Sequence, residues 1–252
     1  MRRRFIDPVK GGGRACTAAL ACLAAWTALV AAGGAAASGF QINPVVLEVL
    51  GGRQNTSVRI RNSEAAPVSV RIRLFRWTQR TGEDVYDETD AIIASPPIVT
   101  IPAGASQIVR IGPRTGQLSG AYRVVVEEIL PPAPRKGEVR IALRLNLPLY
   151  VTPSEDARAA LHWSGWRDAA GNLVLEARND GDRHDAVVAI GAVDAARRDV
   201  PLSSRLGAVL PGGSRRWTLG KHPEFAVGAP LQLTVRSSDG TIARPQVTLR
   251  QR

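Results

Sequence analysis

Residues 139–150 read VRIALRLNLPLY, and this stretch is the most informative part of the sequence. Aliphatic residues alternate with Arg, Ala and Asn at a period of two, which predicts a β-strand with one aliphatic and one polar face. The stretch is long for a strand, whose usual length is about five or six residues. Pro148 has no N–H group to donate, so the strand is predicted to have a free edge at its C-terminal end.

The pattern allows two interpretations of this strand. In the first, the aliphatic side chains face the core of their own domain; periodicity alone favours it, since most alternating strands are half-buried. In the second, the strand pairs with another chain, because a long aliphatic strand with an unpaired edge is otherwise an aggregation hazard. The side chains concerned are Val139, Ile141, Leu143 and Leu145.

Residues 1–38 have the features of a secretory signal peptide. A positively charged region ends at Arg14, an apolar run covers residues 15–32, and Ala35 and Ala37 form a plausible cleavage box. The apolar run is also long enough for an uncleaved membrane anchor. The sequence therefore predicts an exported protein.

The charge and cysteine content narrow the class of protein. The net charge is +11 at pH 7, which raises the question of nucleic-acid binding. However, the positive charge comes almost entirely from arginines, and most of these alternate with Val, Ile or Leu, as on solvated strand faces, so no nucleic-acid partner is predicted. Both cysteines, Cys16 and Cys22, lie in the N-terminal segment, and the exported part is expected to fold without disulfides.

The remainder of the chain is predicted to be all-β. From Phe40 onward, short strands alternate with turn residues, which is typical of β-sandwiches, and no amphipathic helix is evident. A proline and a polar run end the long strand, so two tandem sandwiches are predicted at 39–152 and 153–252. Within one alternating strand, Phe75 and Trp77 predict a change of register.

The sequence offers no recognisable catalytic or metal-binding site. Three histidines, His162, His184 and His222, are widely spaced and lack metal-ligand spacing. There is no Gly-x-Ser-x-Gly pattern and no glycine-rich phosphate loop. Glu127 and Glu128 are neighbours on a strand and point to opposite faces, so they cannot act as a carboxylate pair. We therefore predict a protein that is not an enzyme and needs no metal or cofactor.

Several motifs together resemble the periplasmic chaperones of chaperone–usher pilus assembly, over the whole of both domains. The resemblance rests on Ser95-Pro96-Pro97, Ile101-Pro102-x-Gly104-x-x-Gln107-x-x-Arg110, Tyr122-Arg123-Val124, Glu128-Ile129 and the long strand 139–150. Two further motifs resemble the branch that serves archaic, spore-coat-U-type pili: Phe75-Arg76-Trp77-x-Gln79 and Asn179-x-Gly181.

The resemblance implies two immunoglobulin-like sandwiches in a boomerang arrangement, with a cleft between them. In that family, the last strand of the first domain is lent to a pilus subunit whose own sandwich lacks its final strand. This favours the second interpretation of the long strand and makes its aliphatic residues the donor residues. The implied partners are pilus subunits and an outer-membrane usher, and the implied location is the periplasm. Whether the free protein caps its strand as a homodimer is left open.

One departure from the family concerns charge. Many members hold the subunit's C-terminal carboxylate with an arginine in the first strand and a lysine late in the donor strand, but these positions fall on Val46 and Pro148 here. A guanidinium binds a carboxylate bidentately, so Arg123 is the replacement candidate and Arg144 the reserve. Arg123 is equally well interpreted as a solvated strand arginine. Arg110 matches a family arginine that steadies the orientation of the two domains.

The function predicted from the sequence is that of a non-enzymatic, ATP-independent periplasmic chaperone. It would stabilise pilus or fimbrial subunits by donor-strand complementation and deliver them to the usher, with no small-molecule substrate. The alternative is an exported two-domain adhesin or surface-binding module. A secreted β-sandwich enzyme comes third, since it would require converging polar groups that the sequence does not reveal.

Overall fold

A computed structural model describes residues 39–130, 141–194 and 196–252. The predicted signal peptide, 1–38, and the predicted donor residue Val139 lie outside these ranges. The described residues form strands and turns, with no α-helix among them. Within the same ranges, no helix is long and apolar enough to span a membrane, and no cluster of His, Cys, Asp or Glu is suited to a metal ion.

Ten strands precede Pro153 and form two facing sheets. The first sheet has the order β1-β3-β8-β6, and the second has the order β2-β10-β9-β4-β5, with β7 also paired to β4. The strands are β1 (Phe40–Asn43), β2 (Leu47–Leu50), β3 (Thr56–Asn62), β4 (Val68–Arg80), β5 (Glu83–Glu88), β6 (Ile92–Ser95), β7 (Ile98–Ile101), β8 (Ser106–Pro113), β9 (Ala121–Ile129) and β10 (Arg144–Thr152).

Nine further strands form one continuous sheet in the order β14-β13-β17-β19-β11-β12-β16, with β15 paired to β13 and β18 to β17. The first half of β19 pairs with β17 and its second half pairs with β11. β19 therefore connects the two layers of a second sandwich. The strands are β11 (Leu161–Arg167), β12 (Leu173–Asn179), β13 (Asp185–Val193), β14 (Asp199–Ser203), β15 (Gly207–Val209), β16 (Ser214–Thr218), β17 (Pro230–Ser237), β18 (Ile242–Ala243) and β19 (Gln246–Gln251). The all-β prediction is confirmed.

Alternating side chains build the core of the first sandwich. Val58 and Ile60 of β3 face Val70 of β4, Val124 of β9 and Leu149 of β10, and all five are fully buried. Burial of each such side chain contributes about 1.5–3 kcal/mol. The polar residues between them point outward, so the outer face of the second sheet is free to carry other groups.

The structure shortens the predicted long strand at its N-terminal end and forms two separate strands from residues 40–49 and the residue that follows. Residues 40–49 form two strands, because the chain leaves the first sheet after Asn43 and enters the second sheet at Leu47. The long strand starts at Arg144, while Ile141 to Leu143 lie outside any strand. At its other end the strand continues to Thr152, since the residues from Leu149 onward pair in parallel with β2.

The register change predicted at Phe75 and Trp77 is wrong. β4 pairs with β9 without a shift from Ser69 to Trp77. Both aromatic residues continue the outward-facing set of β4, which on an isolated sandwich would face water. Trp77 is nevertheless only 2% exposed, because the second sandwich covers it.

The contact between the sandwiches, which we call the seam, has a small apolar core. It consists of Trp77, Ala121 and Tyr150 from the first sandwich, and of Ala208 and Leu210 from the second. In addition, the ring of Tyr150 stacks on the imidazole of His184, with centroids 3.4 Å apart and planes inclined by 6°.

Hydrogen bonds fix the seam in one register. The Gln79 side chain donates to the Ala208 carbonyl at 2.8 Å and accepts from the Leu210 N–H at 3.0 Å. The N–H of Arg216 donates to the carbonyl of Gly82 at 2.9 Å. Gly82 has φ +83° and so little space that an added Cβ would lie 2.7 Å from the Cβ of Arg216. Glycine is therefore required at the tip of the β4–β5 hairpin.

The Asn179-x-Gly181 motif shapes the loop that reaches the seam. The buried Asn179 side chain donates to the carbonyls of Arg183 and Val209 and accepts from the N–H groups of Ala160 and Gly181. A Cβ on Gly181 would lie 2.2 Å from a backbone oxygen. The motif thus fixes the conformation of the loop that precedes His184. The side chain of His184 then contacts Tyr150.

Candidate functional site

The aliphatic face of β10 and the residues before it becomes progressively exposed toward the N-terminal end. Leu149 and Leu147 are buried, Leu145 and Leu143 are half-buried against the core, and Ile141 is 80% exposed. The core of the sandwich therefore covers the C-terminal half of this face and leaves the N-terminal half partly open.

The backbone of β10 has an open edge. On one side, Arg144 to Tyr150 pair with β9. On the other side, pairing with β2 is confined to Leu149–Thr152, so among the described residues no strand lies beside Arg144 to Pro148. The sequence placed the free edge at the C-terminal end, but the structure places it on the N-terminal side of Pro148. The unpaired backbone N–H and C=O groups along this open edge of β10 are available to another strand.

The polar face of β10 borders a groove on the outer face of the second sheet. This groove has a volume of about 290 Å³ and contains both carboxylate-anchor candidates; its lining residues are Phe75, Tyr86, Arg123, Val125, Arg144 and Asn146. The register places Arg123 directly opposite Pro148. Residues paired in this way have their side chains on the same face of the sheet.

The positions that lack the expected cations lie close together. Because Leu47 pairs with Leu149 in a parallel register, the preceding residues, Val46 and Pro148, are neighbours at the edge of the sheet. Arg123 lies one strand further in, next to Pro148. Arg123 is therefore paired directly with Pro148 and lies two strands away from Val46, and its guanidinium extends toward Trp77 of β4.

Arg123 is held by aromatic rings. Its guanidinium lies 4.0 Å from the ring centroid of Trp77 and 5.6 Å from that of Tyr86, and Nη2 donates to the Tyr86 hydroxyl at 3.4 Å. Within the part of the chain that the structure describes, no carboxylate forms an ion pair with it. Cation–π contacts orient the guanidinium without neutralising it, so Arg123 presents a full positive charge to the groove.

Arg144 differs because its charge is compensated. Its guanidinium lies 3.3 Å from a carboxylate oxygen of Glu127, which is also 3.7 Å from Arg73, and Arg73 in turn pairs with Glu88. These four residues form a ladder of alternating charge across β5, β4, β9 and β10. Of the two candidates, Arg123 is therefore the better suited to bind an incoming anion.

Arg110 lies on β8 with an exposed side chain, in a polar pocket that it shares with Glu48 and Arg53. Among residues 39–130, 141–194 and 196–252, no hydrogen bond or ion pair connects it to the second sandwich, and its interdomain role stays a prediction. Sequence reasoning missed the ion pairs that do cross the seam, which are Glu48–Arg183 at 3.3 Å and Asp84–Arg215. No local motif marks these pairs, since their partners are far apart in the sequence.

The seam shifts the pKa values of three groups. Burial lowers the pKa of His184 to about 4, and the positive charge of Arg183 acts in the same direction. Burial raises the pKa of Tyr150 to about 12. For Asp84, burial raises the pKa, but hydrogen bonds from Gln79, Arg215 and Trp77 outweigh this effect and leave it below the usual value.

The first sandwich has a recognisable family. Residues 39–156 match the family model of pili and flagellar-assembly chaperones, PapD N-terminal domain. The first sandwich is thus similar to the members of that family. The family resemblance drawn from the sequence is thereby confirmed over these residues, which include the groove and the open edge of β10. The comparison with curated proteins returned no significant match.

Solved chaperone structures resemble the described residues beyond the first sandwich. One is the CsuC–CsuE chaperone–tip adhesion subunit pre-assembly complex from archaic chaperone–usher Csu pili of Acinetobacter baumannii, with 21% identity, a TM-score of 0.65, and coverage of 84% of this chain and 99% of that chain. Another is the SafA pilin in complex with the SafB chaperone from Salmonella enterica, with 11% identity, a TM-score of 0.57, and coverage of 84% and 97%.

The CupB2 chaperone of Pseudomonas aeruginosa is also similar, with 13% identity, a TM-score of 0.52, and coverage of 83% of this chain and 100% of that chain. At these identities the likeness concerns the fold. It confirms the prediction of two immunoglobulin-like sandwiches of the chaperone type.

Proposed function

We propose that the chain is a periplasmic chaperone that binds pilus subunits by donor-strand complementation and delivers them to an outer-membrane usher. The observation that carries this proposal is β10, which combines an open backbone edge from Arg144 to Pro148 with an increasingly exposed aliphatic face. No catalysis is involved: the chaperone supplies surface and backbone groups that an incomplete subunit lacks. Residues 1–38 would act as the export signal.

Binding would use both the backbone and the side chains of this segment. The open edge offers N–H and C=O groups to a strand of the subunit, as in β-strand addition. Ile141, Leu143 and Leu145 would then fill the groove of the subunit, together with Val139. Each aliphatic side chain that becomes fully buried contributes about 1.5–3 kcal/mol, which offsets part of the cost of keeping an incomplete sandwich folded.

The groove beside β10 would bind the C-terminal carboxylate of the subunit. Arg123 has no carboxylate partner among the described residues and is paired with Pro148, one of the two positions where the family places its cations. A carboxylate that is buried without a cation costs several kcal/mol. The anchor therefore fixes the register in which the subunit strand pairs with β10.

The proposal is tested by replacing Ile141 with Asp in the full-length chain. The protein is co-expressed with a pilin-like subunit, and the subunit that co-purifies from the periplasm is measured at matched chaperone levels. Ile141→Asp is expected to reduce the recovered subunit severalfold, because a charged group cannot enter an aliphatic groove. Thermal unfolding should remain close to that of the wild type, since Ile141 is 80% exposed.

The matched control is Ile242→Asp, which introduces the same charge at a 51% exposed isoleucine of the second sandwich. It is expected to leave subunit recovery unchanged. Equal recovery with wild type, Ile141→Asp and Ile242→Asp would contradict donation by this segment.

A further inference from the structure

The cation of the groove and a carboxylate of the seam are separated by a single hydroxyl group. Nη2 of Arg123 donates to the Tyr86 hydroxyl at 3.4 Å, and the same hydroxyl lies 3.3 Å from Oδ2 of Asp84. Arg123 and Asp84 belong to the same sandwich and point to the same outer face of its second sheet. They are thus potential ion-pair partners within one domain.

Asp84 is occupied by other donors instead. The indole N–H of Trp77 donates to its Oδ1 at 3.0 Å, and the amide of Gln79 donates to the same atom at 2.9 Å. Its other oxygen, Oδ2, forms an ion pair with Arg215 of the second sandwich. The side chains of Asp84 and Arg215 are only 16% and 20% exposed, so solvent screens this pair weakly.

Arg215 is the cation that forms the ion pair with the Asp84 carboxylate. Without it, a half-buried negative charge would remain beside a guanidinium that has no carboxylate partner among the described residues. Opposite charges that are separated by a single hydroxyl group attract strongly in a partly buried environment. Rotation of the Tyr86 side chain about χ1 would remove the hydroxyl that lies between the two groups, so that Arg123 could move onto Asp84 and its charge would be drawn away from the groove.

We infer that Arg215 is a positioning residue for anion binding in the groove: by occupying Asp84, the second sandwich keeps Arg123 free to bind the subunit's terminal carboxylate. The inference rests on the proposed function and adds a role for the second sandwich, which does not itself line the groove. The anchor is then complete only when the two sandwiches are docked.

A rescue experiment separates this role from simple stabilisation of the seam. Full-length chains carrying Arg215→Met, Arg215→Lys, Asp84→Asn, or Arg215→Met together with Asp84→Asn are co-expressed with the subunit and compared at matched levels. Arg215→Met is expected to lower subunit recovery about tenfold, a change that corresponds to about 1.4 kcal/mol. Arg215→Lys keeps a cation on Asp84 and should retain most of the recovery.

The double variant is decisive. Removing the charge of Asp84 takes away the competitor for Arg123, so Arg215→Met with Asp84→Asn should recover more subunit than Arg215→Met alone. Removing the unpaired charge of Asp84 also relieves its burial cost, so the unfolding free energies of both variants are measured alongside. If the double variant recovers no more subunit than Arg215→Met, or if recovery only follows the unfolding free energy, the inference is overturned.

A second measurement needs no subunit. In the purified protein, the side-chain Nε–H signal of Arg123 in the NMR spectrum should move in Arg215→Met toward the position of a carboxylate-bound guanidinium, and should return in the double variant. An unmoved signal would also overturn the inference.

Arg123→Ala distinguishes failure of the inference from failure of the proposed anchor. If Arg123→Ala lowers recovery while Arg215→Met does not, only the positioning role of Arg215 is excluded. If Arg123→Ala recovers as much subunit as wild type, the anchor itself is excluded.

Discussion

The stack of His184 on Tyr150 predicts that the protein loses stability as the medium becomes acidic. The buried imidazole has a pKa of about 4 in the native structure, against a usual value of 6.5. Between these two values, the unfolded chain binds a proton that the native protein does not bind. Stability is therefore complete above a pH of about 6.5, falls as the pH decreases toward about 4, and loses nothing further from this group below that.

The magnitude follows from the size of the shift. One pKa unit corresponds to about 1.4 kcal/mol, so the change from 6.5 to about 4 corresponds to a loss of about 3 kcal/mol at acidic pH. This is a large part of a typical stability of about 5–15 kcal/mol. Protonation would act at the seam, because a charged imidazole gains hydration only by leaving Tyr150.

The prediction is checked by urea unfolding of the wild type and of His184→Phe at a pH of about 7.5 and of about 4. Phenylalanine keeps a planar ring against Tyr150 but has no proton to gain, and the carboxylates common to both proteins cancel in the comparison. The acid-induced loss of unfolding free energy should be smaller by about 3 kcal/mol in the variant. His162→Phe, at a 70% exposed position, serves as the control and should behave like wild type. Equal acid-induced losses in all three proteins would refute the assignment of this loss to His184.

Two further predictions concern β10 and its groove. Leu149→Ala is expected to lower the unfolding free energy by about 2–5 kcal/mol, because the Leu149 side chain is fully buried. Ile141→Ala is expected to lower it by less than about 0.5 kcal/mol, because the Ile141 side chain is exposed. Similar losses for the two variants in urea denaturation would contradict the exposure gradient. Arg123→Ala should reduce subunit recovery most. Arg144→Ala should reduce it less, because Glu127 compensates the charge of Arg144. Arg59→Ala, on an exposed face of β3, should leave it unchanged. A larger effect at Arg144 would assign the carboxylate to that residue.

The sequence determined the strands and the class of fold. Alternation at a period of two is a local property, so a series of short strands was predicted from Phe40 onward, and the structure has strands throughout that part of the described chain. The boundary between the two predicted sandwiches, near Pro153, was predicted from turn chemistry alone. The family was also visible, because its motifs consist of turn residues and strand patterns that the sequence displays directly.

Partners that are distant in the sequence are what local patterns could not show. Phe75 and Trp77 indicated a register change because nothing near them in the sequence accounts for outward-facing aromatic residues. The explanation is Leu210 and its neighbours, which the second sandwich brings against Trp77. The open edge of β10 was likewise misplaced, since its extent depends on where β2 begins to pair.

The two candidate arginines also show that local patterns leave partners distant in the sequence undetermined. Arg123 and Arg144 have similar local patterns, each beside aliphatic residues on a strand, and the sequence could rank them only by analogy. The tertiary structure distinguishes them because strand register places Glu127 opposite Arg144, and places Arg123 over the ring of Trp77. The charge that a side chain presents depends on its neighbours across strands, and those neighbours are fixed only when the sheet and the seam have formed.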